Sequence, residues 1–137
     1  MSGTTTSSYN QEFLSDSLGI TLDFLSDITN DIQIIGLLAE RQSILLNQKV
    51  TELSQDISKF VELTTLISKL IMSRKKVVIT GIKESHINLL FIMKAMNQAQ
   101  ARNDYLVLQE LIKYELKDNL TQWKIDLIPQ IRKLLNS

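Results

Sequence analysis

Apolar side chains recur every three or four residues through the last third of this chain. After Tyr105 these positions are Leu108, Ile112, Leu116, Leu120, Trp123, Leu127, Ile131 and Leu134. Because an α-helix has 3.6 residues per turn, this spacing keeps one face apolar along its length. Asn103 and Asp104 precede the pattern, where short polar side chains accept hydrogen bonds from the first unpaired N–H groups of a helix. The pattern predicts a long helix that Pro129 kinks or ends near Ile128.

Three further stretches show helical spacing, at about residues 16–38, 43–73 and 82–101. The apolar positions of the first are Ile20, Phe24, Ile28, Ile32 and Ile35. Those of the second are Val50, Leu53, Ile57, Phe60, Thr64, Ile67 and Ile71. The centre of the third, residues 89–93, is apolar on all sides, which is typical of a helix that is central in a bundle or covered by something else. The boundary near residues 39–42 stays open, since residues 37–46 also suit one continuous helix.

Few turn-forming residues separate these stretches. The chain has 137 residues, with four glycines and one proline. A sheet protein needs turns rich in Gly, Pro, Asn and Asp at short intervals. The sequence therefore predicts an all-α fold, a four-helix up-and-down bundle in which residues 13–137 form a single domain. Residues 1–12 are rich in Ser and Thr with little to bury, and we expect a flexible polar tail there.

Composition narrows the classes of function. Fifteen basic residues balance fifteen acidic ones, which argues against nucleic-acid binding as the main role. The chain has no cysteine, and therefore no disulfide or zinc–thiolate site. The N-terminus does not resemble a secretory signal, and no apolar run approaches the roughly 20 residues that span a bilayer. We therefore expect a cytoplasmic protein with no membrane partner.

The stretch KKVVITG, residues 75–81, resembles the first strand and phosphate loop of a nucleotide-binding domain. Such a site needs several glycines so that backbone N–H groups can approach phosphate, and here Gly81 stands alone. No comparable Val/Ile run offers a partner strand. The stretch is better interpreted as the connector between the second and third helices, or as the first turn of the third, with Thr80 as a candidate cap.

His86 is the only histidine, and it is the obvious candidate for catalysis. Glu84 lies two residues away and so points to nearly the opposite side of a helix. The Glu-x-x-His pairs of di-iron bundles do not occur. We therefore expect no catalytic residues, no metal site and no cofactor, which makes the protein non-enzymatic. A ligand-binding role for His86 with nearby carboxylates stays as a less favoured alternative.

A candidate partner-binding surface lies on the third and fourth helices. Its residues are Phe91, Met93, Met96, Leu106 and Val107. Methionine adapts to irregular partners and recurs on surfaces that accept amphipathic helices. The competing interpretation is that all five side chains belong to the core.

The region from Ala99 to Lys124 resembles the flagellin-type export chaperones, a family of small cytoplasmic four-helix proteins. In that family an Ala-x-x-basic-Asn-Asp turn joins the last helix pair, followed by a Leu, a Glu, a Tyr and a Trp-Lys. The matching positions are Ala99, Arg102, Asn103, Asp104, Leu108, Glu110, Tyr114, Trp123 and Lys124. The spacing from Tyr114 to Trp123 is one residue longer than in the family, which would rotate Trp123 by about 100° around an α-helix. The family's binding groove is therefore not transferred to this chain.

These observations lead to one functional hypothesis with one main rival. We expect an interaction module that holds an amphipathic helical segment of another protein, in its narrower form a flagellar export chaperone or co-chaperone. The rival is a self-associating structural or regulatory bundle, in which the surplus apolar surface meets its own copy.

Overall fold

A computed structural model of the protein describes the backbone of residues 2–38 and 42–136, and the side chains of residues 11–38 and 42–136. In this part of the chain four helices form and no strand does, which confirms the all-α four-helix prediction. They are α1 (Ser2–Leu37), α2 (Ser43–Lys75), α3 (Ile82–Ala101) and α4 (residues 105–135). The uncertain boundary near residues 39–41 and the first residue of the predicted tail lie outside the described residues.

Contacts between helix ends show that α2 and α3 are antiparallel, and that α1 and α4 are antiparallel. Gln100, near the end of α3, donates to the backbone oxygen of Asn47, near the start of α2, at 3.2 Å. The Gln11 side chain in α1 donates to the backbone oxygen of Leu135 at the end of α4. α1 packs mainly on α2, and α4 contacts the other three helices. The short connections thus produce the up-and-down order.

The core follows the predicted stripes of α2 and α4. All seven predicted positions of α2 are buried. In α4 the positions from Leu108 to Ile131 are buried as predicted, while Leu135 replaces Leu134 as the last core residue. Phe60 packs edge-on against Trp123, with ring centroids 5.0 Å apart, so the largest side chains of the two helices meet at the centre.

α1 begins earlier than predicted, while four of its five predicted core positions, Phe24, Ile28, Ile32 and Ile35, are buried or partly buried. It begins at Ser2 rather than near Asp16, so the backbone of residues 2–12 is helical. Ile20 is half-exposed, which makes its predicted core position wrong. Among the described side chains of α1, from residue 11 onwards, the buried positions are Leu14, Ser17, Leu18, Thr21, Leu25, Ile28, Asp31 and Ile35. Polar side chains occupy three of the eight positions, and this obscures the apolar period on which the prediction depends.

α4 continues through Pro129, so the prediction that it ends near Ile128 is wrong, while the alternative of a kink at Pro129 stays a prediction. The backbone at Leu127 and Ile128 keeps right-handed helical dihedrals, and helical structure extends to Leu135. Two segments, Leu111–Leu116 and Trp123–Leu127, are π-helical. A π-helical turn is wider than an α-helical one and holds an additional residue. The second segment directly precedes Pro129, where proline removes one backbone donor and crowds the carbonyl four residues earlier.

The KKVVITG stretch forms the connector between α2 and α3 and contains no strand. α2 ends at Lys75, the next residue Lys76 has a φ of 54°, and Gly81 precedes α3 with a φ of 98°. Because φ values in this range favour glycine, Gly81 serves the turn rather than a phosphate loop. Gly81 also takes the cap position, without a side-chain bond, so Thr80 does not cap α3.

No helix in the described part of the chain has both the length and the apolar character needed to cross a membrane.

Candidate docking surface on the third helix

The outer face of α3 is apolar and exposed. Ile87, Leu90 and Phe91 are 59%, 51% and 69% exposed, and their spacing of three and four residues places them on one side of the helix. We call these three residues the α3 outer face. Exposed lysines, Lys83 and Lys94, lie about one turn before and one turn after it. Neither lysine forms an ion pair with another described residue.

The structure separates the five predicted partner-binding residues. Phe91 lies on the α3 outer face, while Met96 is fully buried and Met93 is partly buried against the core. Leu106 and Val107 are 65% and 41% exposed. They lie in the first turn of α4, next to the end of α3 that is farther from Ile87. The five residues therefore do not form one surface.

Two residues of the α3 outer face, Ile87 and Leu90, are missing from the sequence-based prediction. Their spacing relative to Phe91 could have predicted them, since positions i, i+3 and i+4 lie on the same side of a helix. The sequence does not show which side of an almost wholly apolar helix faces inward. The prediction includes Met96 for its residue type, although Met96 shares a buried side with Leu89 and Ile92.

A buried polar network sets the rotation of α3 against α4. The Asn119 side-chain amide donates to the backbone oxygen of Ser85 at 3.2 Å and to Asn88 Oδ1 at 3.0 Å. Ser85 and Asn119 are both buried. Since an unpaired buried amide costs free energy, this network favours a single rotation of α3. In that rotation Leu89 faces the core and Phe91 faces solvent.

His86 packs on the core instead of facing a cleft. Its ring stacks on Trp123, with centroids 5.3 Å apart, and its Nε2 lies 2.7 Å from Thr64 Oγ1. The Thr64 hydroxyl donates to the backbone oxygen of Phe60 at 2.8 Å. Because a hydroxyl has one hydrogen, we assign Nε2–H of His86 as the donor to Thr64. Burial lowers the pKa of His86 below its ordinary 6.5, which favours this neutral form.

A second titratable group lies between α1 and α2. The Asp31 side chain is buried, and its Oδ2 has no hydrogen-bond partner among the described residues. Burial raises the pKa of Asp31 to about 7. The nearby Asp56 adds to the shift, because the protonated Asp31 carboxyl donates a hydrogen bond to it and its charge repels the ionised form. Lys49 partly opposes this shift, but it bonds to Glu52 at 2.9 Å. Asp31 therefore weakens the packing of α1 on α2 when it is ionised.

The described residues contain no group of three or more His, Cys, Asp or Glu side chains arranged to hold a metal ion.

Comparison with known proteins identifies no relative. No protein-family model, curated protein or solved structure matches the chain.

Proposed function

We propose that this protein is a non-enzymatic interaction module that holds an amphipathic helical segment of another protein on the α3 outer face. The observation that carries the proposal is the exposure of Ile87, Leu90 and Phe91 on one side of a helix that the bundle leaves uncovered. A large exposed aromatic side chain with aliphatic neighbours is typical of helix-recognition surfaces.

The charges around this face indicate the chemistry of the partner. Lys83 and Lys94 flank the apolar centre and have no ion-pair partner among the described residues. A partner helix with an apolar stripe and acidic residues near its ends would complement both features. We therefore expect an acidic amphipathic segment.

The area of the face favours a helical segment over a second copy of the chain. Three side chains of this size supply on the order of 300 Å² of contact. A standard protein–protein interface buries about 800 Å² on each partner. Self-association through this face alone would therefore be weak, and a concentration-independent mass of one chain in solution would exclude it.

The narrower proposal is that the module is a cytoplasmic flagellar export chaperone or co-chaperone. Its support is the resemblance of residues 99–124 to flagellin-type chaperones. In the structure Asp104 caps α4 by accepting a hydrogen bond from the Val107 N–H at 3.3 Å, and Asn103 has a φ of 55°. The shared Asn-Asp pair is thus accounted for by the turn itself. Flagellar genes beside the gene for this chain would support the narrower proposal, and phage or metabolic genes would oppose it.

Partner capture with paired variants tests the general proposal. The protein would be purified from its own cells, the bound protein identified, and its amphipathic segment synthesised as a peptide. We expect Phe91→Glu to weaken binding of this peptide at least tenfold, because it places a carboxylate in the apolar contact. Calorimetric titration gives the dissociation constants.

Ile125→Glu is the matched control, since Ile125 is 74% exposed on α4 and lies outside the α3 outer face. It introduces the same charge on another helix, and we expect the peptide affinity to stay within about twofold. Equal losses in the two variants, or the absence of any stable partner, would contradict the proposal.

A further inference from the structure

A groove lies between α1 and α4, away from the α3 outer face. Its volume is about 400 Å³. Its lining includes Ile35, Gly36, Ile112, Lys113, Lys117 and Lys124. Along α4 the lining extends from Gln109 to Lys124, a rise of about 22 Å. The groove is therefore narrow and elongated.

The floor of the groove is apolar. Ile35, Ile112 and Leu120 are buried core residues whose side chains form it. One side of the groove is open at Gly36, where an added Cβ would have no atom within 4 Å. Packing therefore does not require a glycine at this position, one residue before the end of α1. The effect of the glycine is to keep the groove accessible.

The rim of the groove is basic. Lys113, Lys117 and Lys124 line it, and the lining includes no carboxylate. Among the described residues none of the three forms an ion pair, although Lys113 Nζ lies 5.4 Å from the centre of the Tyr114 ring. Three cations along one apolar groove produce a positive potential that only an anionic occupant would neutralise.

We propose that this groove binds a small amphiphilic anion, an apolar chain with a single carboxylate of the fatty-acid kind. The apolar floor accepts the chain and the lysines hold the carboxylate. The volume lies within the roughly 300–1,000 Å³ of small-molecule sites. The site is independent of the α3 outer face.

Titration with dodecanoate below its micellar concentration tests this assignment. We expect saturable one-to-one binding by calorimetry, and at least tenfold weaker binding of dodecyltrimethylammonium, which has the same chain and the opposite charge. Binding that is absent, or equal for the two amphiphiles, would overturn the proposal.

Gly36→Leu locates the site. The added side chain should fill the groove and weaken dodecanoate binding at least tenfold, while helix propensity predicts a fold at least as stable as the wild type. Gly19→Leu is the control, because Gly19 is also exposed in α1, has open space where a Cβ would lie, and is outside the groove. We expect unchanged binding there. Loss of binding in Phe91→Glu, with Gly36→Leu unaffected, would place the amphiphile on the α3 outer face and overturn the proposal.

Lys117→Gln combined with Lys124→Gln tests the charge component. We expect dodecanoate to bind three- to tenfold more weakly and dodecyltrimethylammonium to be little changed. Lys94→Gln, on α3, should leave both affinities as they are in the wild type. An unchanged dodecanoate affinity in the double variant would contradict the role assigned to the lysines.

Discussion

At the scale of single residues, Asp31 occupies a core position of α1 between Ile28 and Ile35, where it is 8% exposed. Its folded-state pKa of about 7 exceeds its ordinary 3.8. The folded protein therefore binds more protons at this site than the unfolded chain between about pH 4 and pH 7. Stability falls as the pH rises through this window, and the full cost of the buried charge is present above it.

Asp31→Asn should therefore stabilise the protein at pH 8 more than at pH 4.5. Because solvent reaches part of the Asp31 side chain, the gain in stability should be smaller than the full pKa difference implies. We expect a gain on the order of 1 kcal/mol at pH 8. Urea unfolding at the two pH values measures it. Asp23→Asn, at an exposed position of the same helix, is the control and should change stability little at either pH. A variant that is less stable at pH 8 than the wild type would show that the Asp31 carboxylate is favourably paired.

His86 provides a second test at this scale, with the opposite sign. Its folded-state pKa is lowered by burial, so the contribution of neutral His86 is present above its unfolded pKa of 6.5 and is lost as the pH falls. As the only histidine, it gives one imidazole signal in a proton NMR titration. We expect a midpoint below 6.5, and a midpoint above that value would contradict the stacked, neutral arrangement on Trp123.

At the scale of helices, α4 depends on its first turn. Asp104 accepts a hydrogen bond from the Val107 N–H, which is otherwise an unpaired donor at the helix start. Asp104→Ala should lower the free energy of unfolding by about 1 kcal/mol, and Asp104→Asn should lower it much less, since asparagine caps equally well. Urea unfolding of both variants measures the difference. Equal losses would show that the charge, and not the cap, is what stabilises the helix.

The helices differ in how well the sequence alone predicts their core positions. α2 is predictable nearly residue by residue because all its predicted core positions except Thr64 are apolar. In α1 the predicted core position Ile20 is exposed and its neighbour Thr21 is buried instead. This is an outcome of tertiary packing that local periodicity does not contain. The stripe of α4 is predicted correctly, but its π-helical segments and its continuation through Pro129 depend on hydrogen bonding that the residue pattern does not specify.

The α3 outer face is predictable only in part, because tertiary contacts determine which side of α3 is exposed. The sequence shows that residues 89–93 are too apolar for an ordinary surface helix, but it does not decide whether Phe91 is buried or exposed, and in the structure Phe91 is exposed. The side of that helix that faces inward follows from its buried apolar residues together with the contacts of Asn119 with Ser85 and Asn88. These contacts join residues more than 30 positions apart, and no local pattern predicts them.

At the scale of the whole molecule, two surfaces remain uncovered on different sides of the bundle. The α3 outer face is apolar between two lysines, and the groove between α1 and α4 is apolar beneath three lysines. Both are suited to anionic amphipathic occupants, although the net charge of the chain is zero. The distribution of charge, and not its sum, is therefore what indicates the partners.

Site-specific photocrosslinking in the cells that produce this protein tests the docking surface most directly. A photoreactive phenylalanine would replace Phe91 in one variant and Ile125 in the other, and crosslinked peptides would be identified by mass spectrometry. We expect position 91 to capture a peptide from another protein with apolar residues at helical spacing and acidic flanks, and position 125 to capture none. Equal capture at both positions, or crosslinks at position 91 to this chain alone, would contradict the assignment of the α3 outer face as a docking surface for a partner helix.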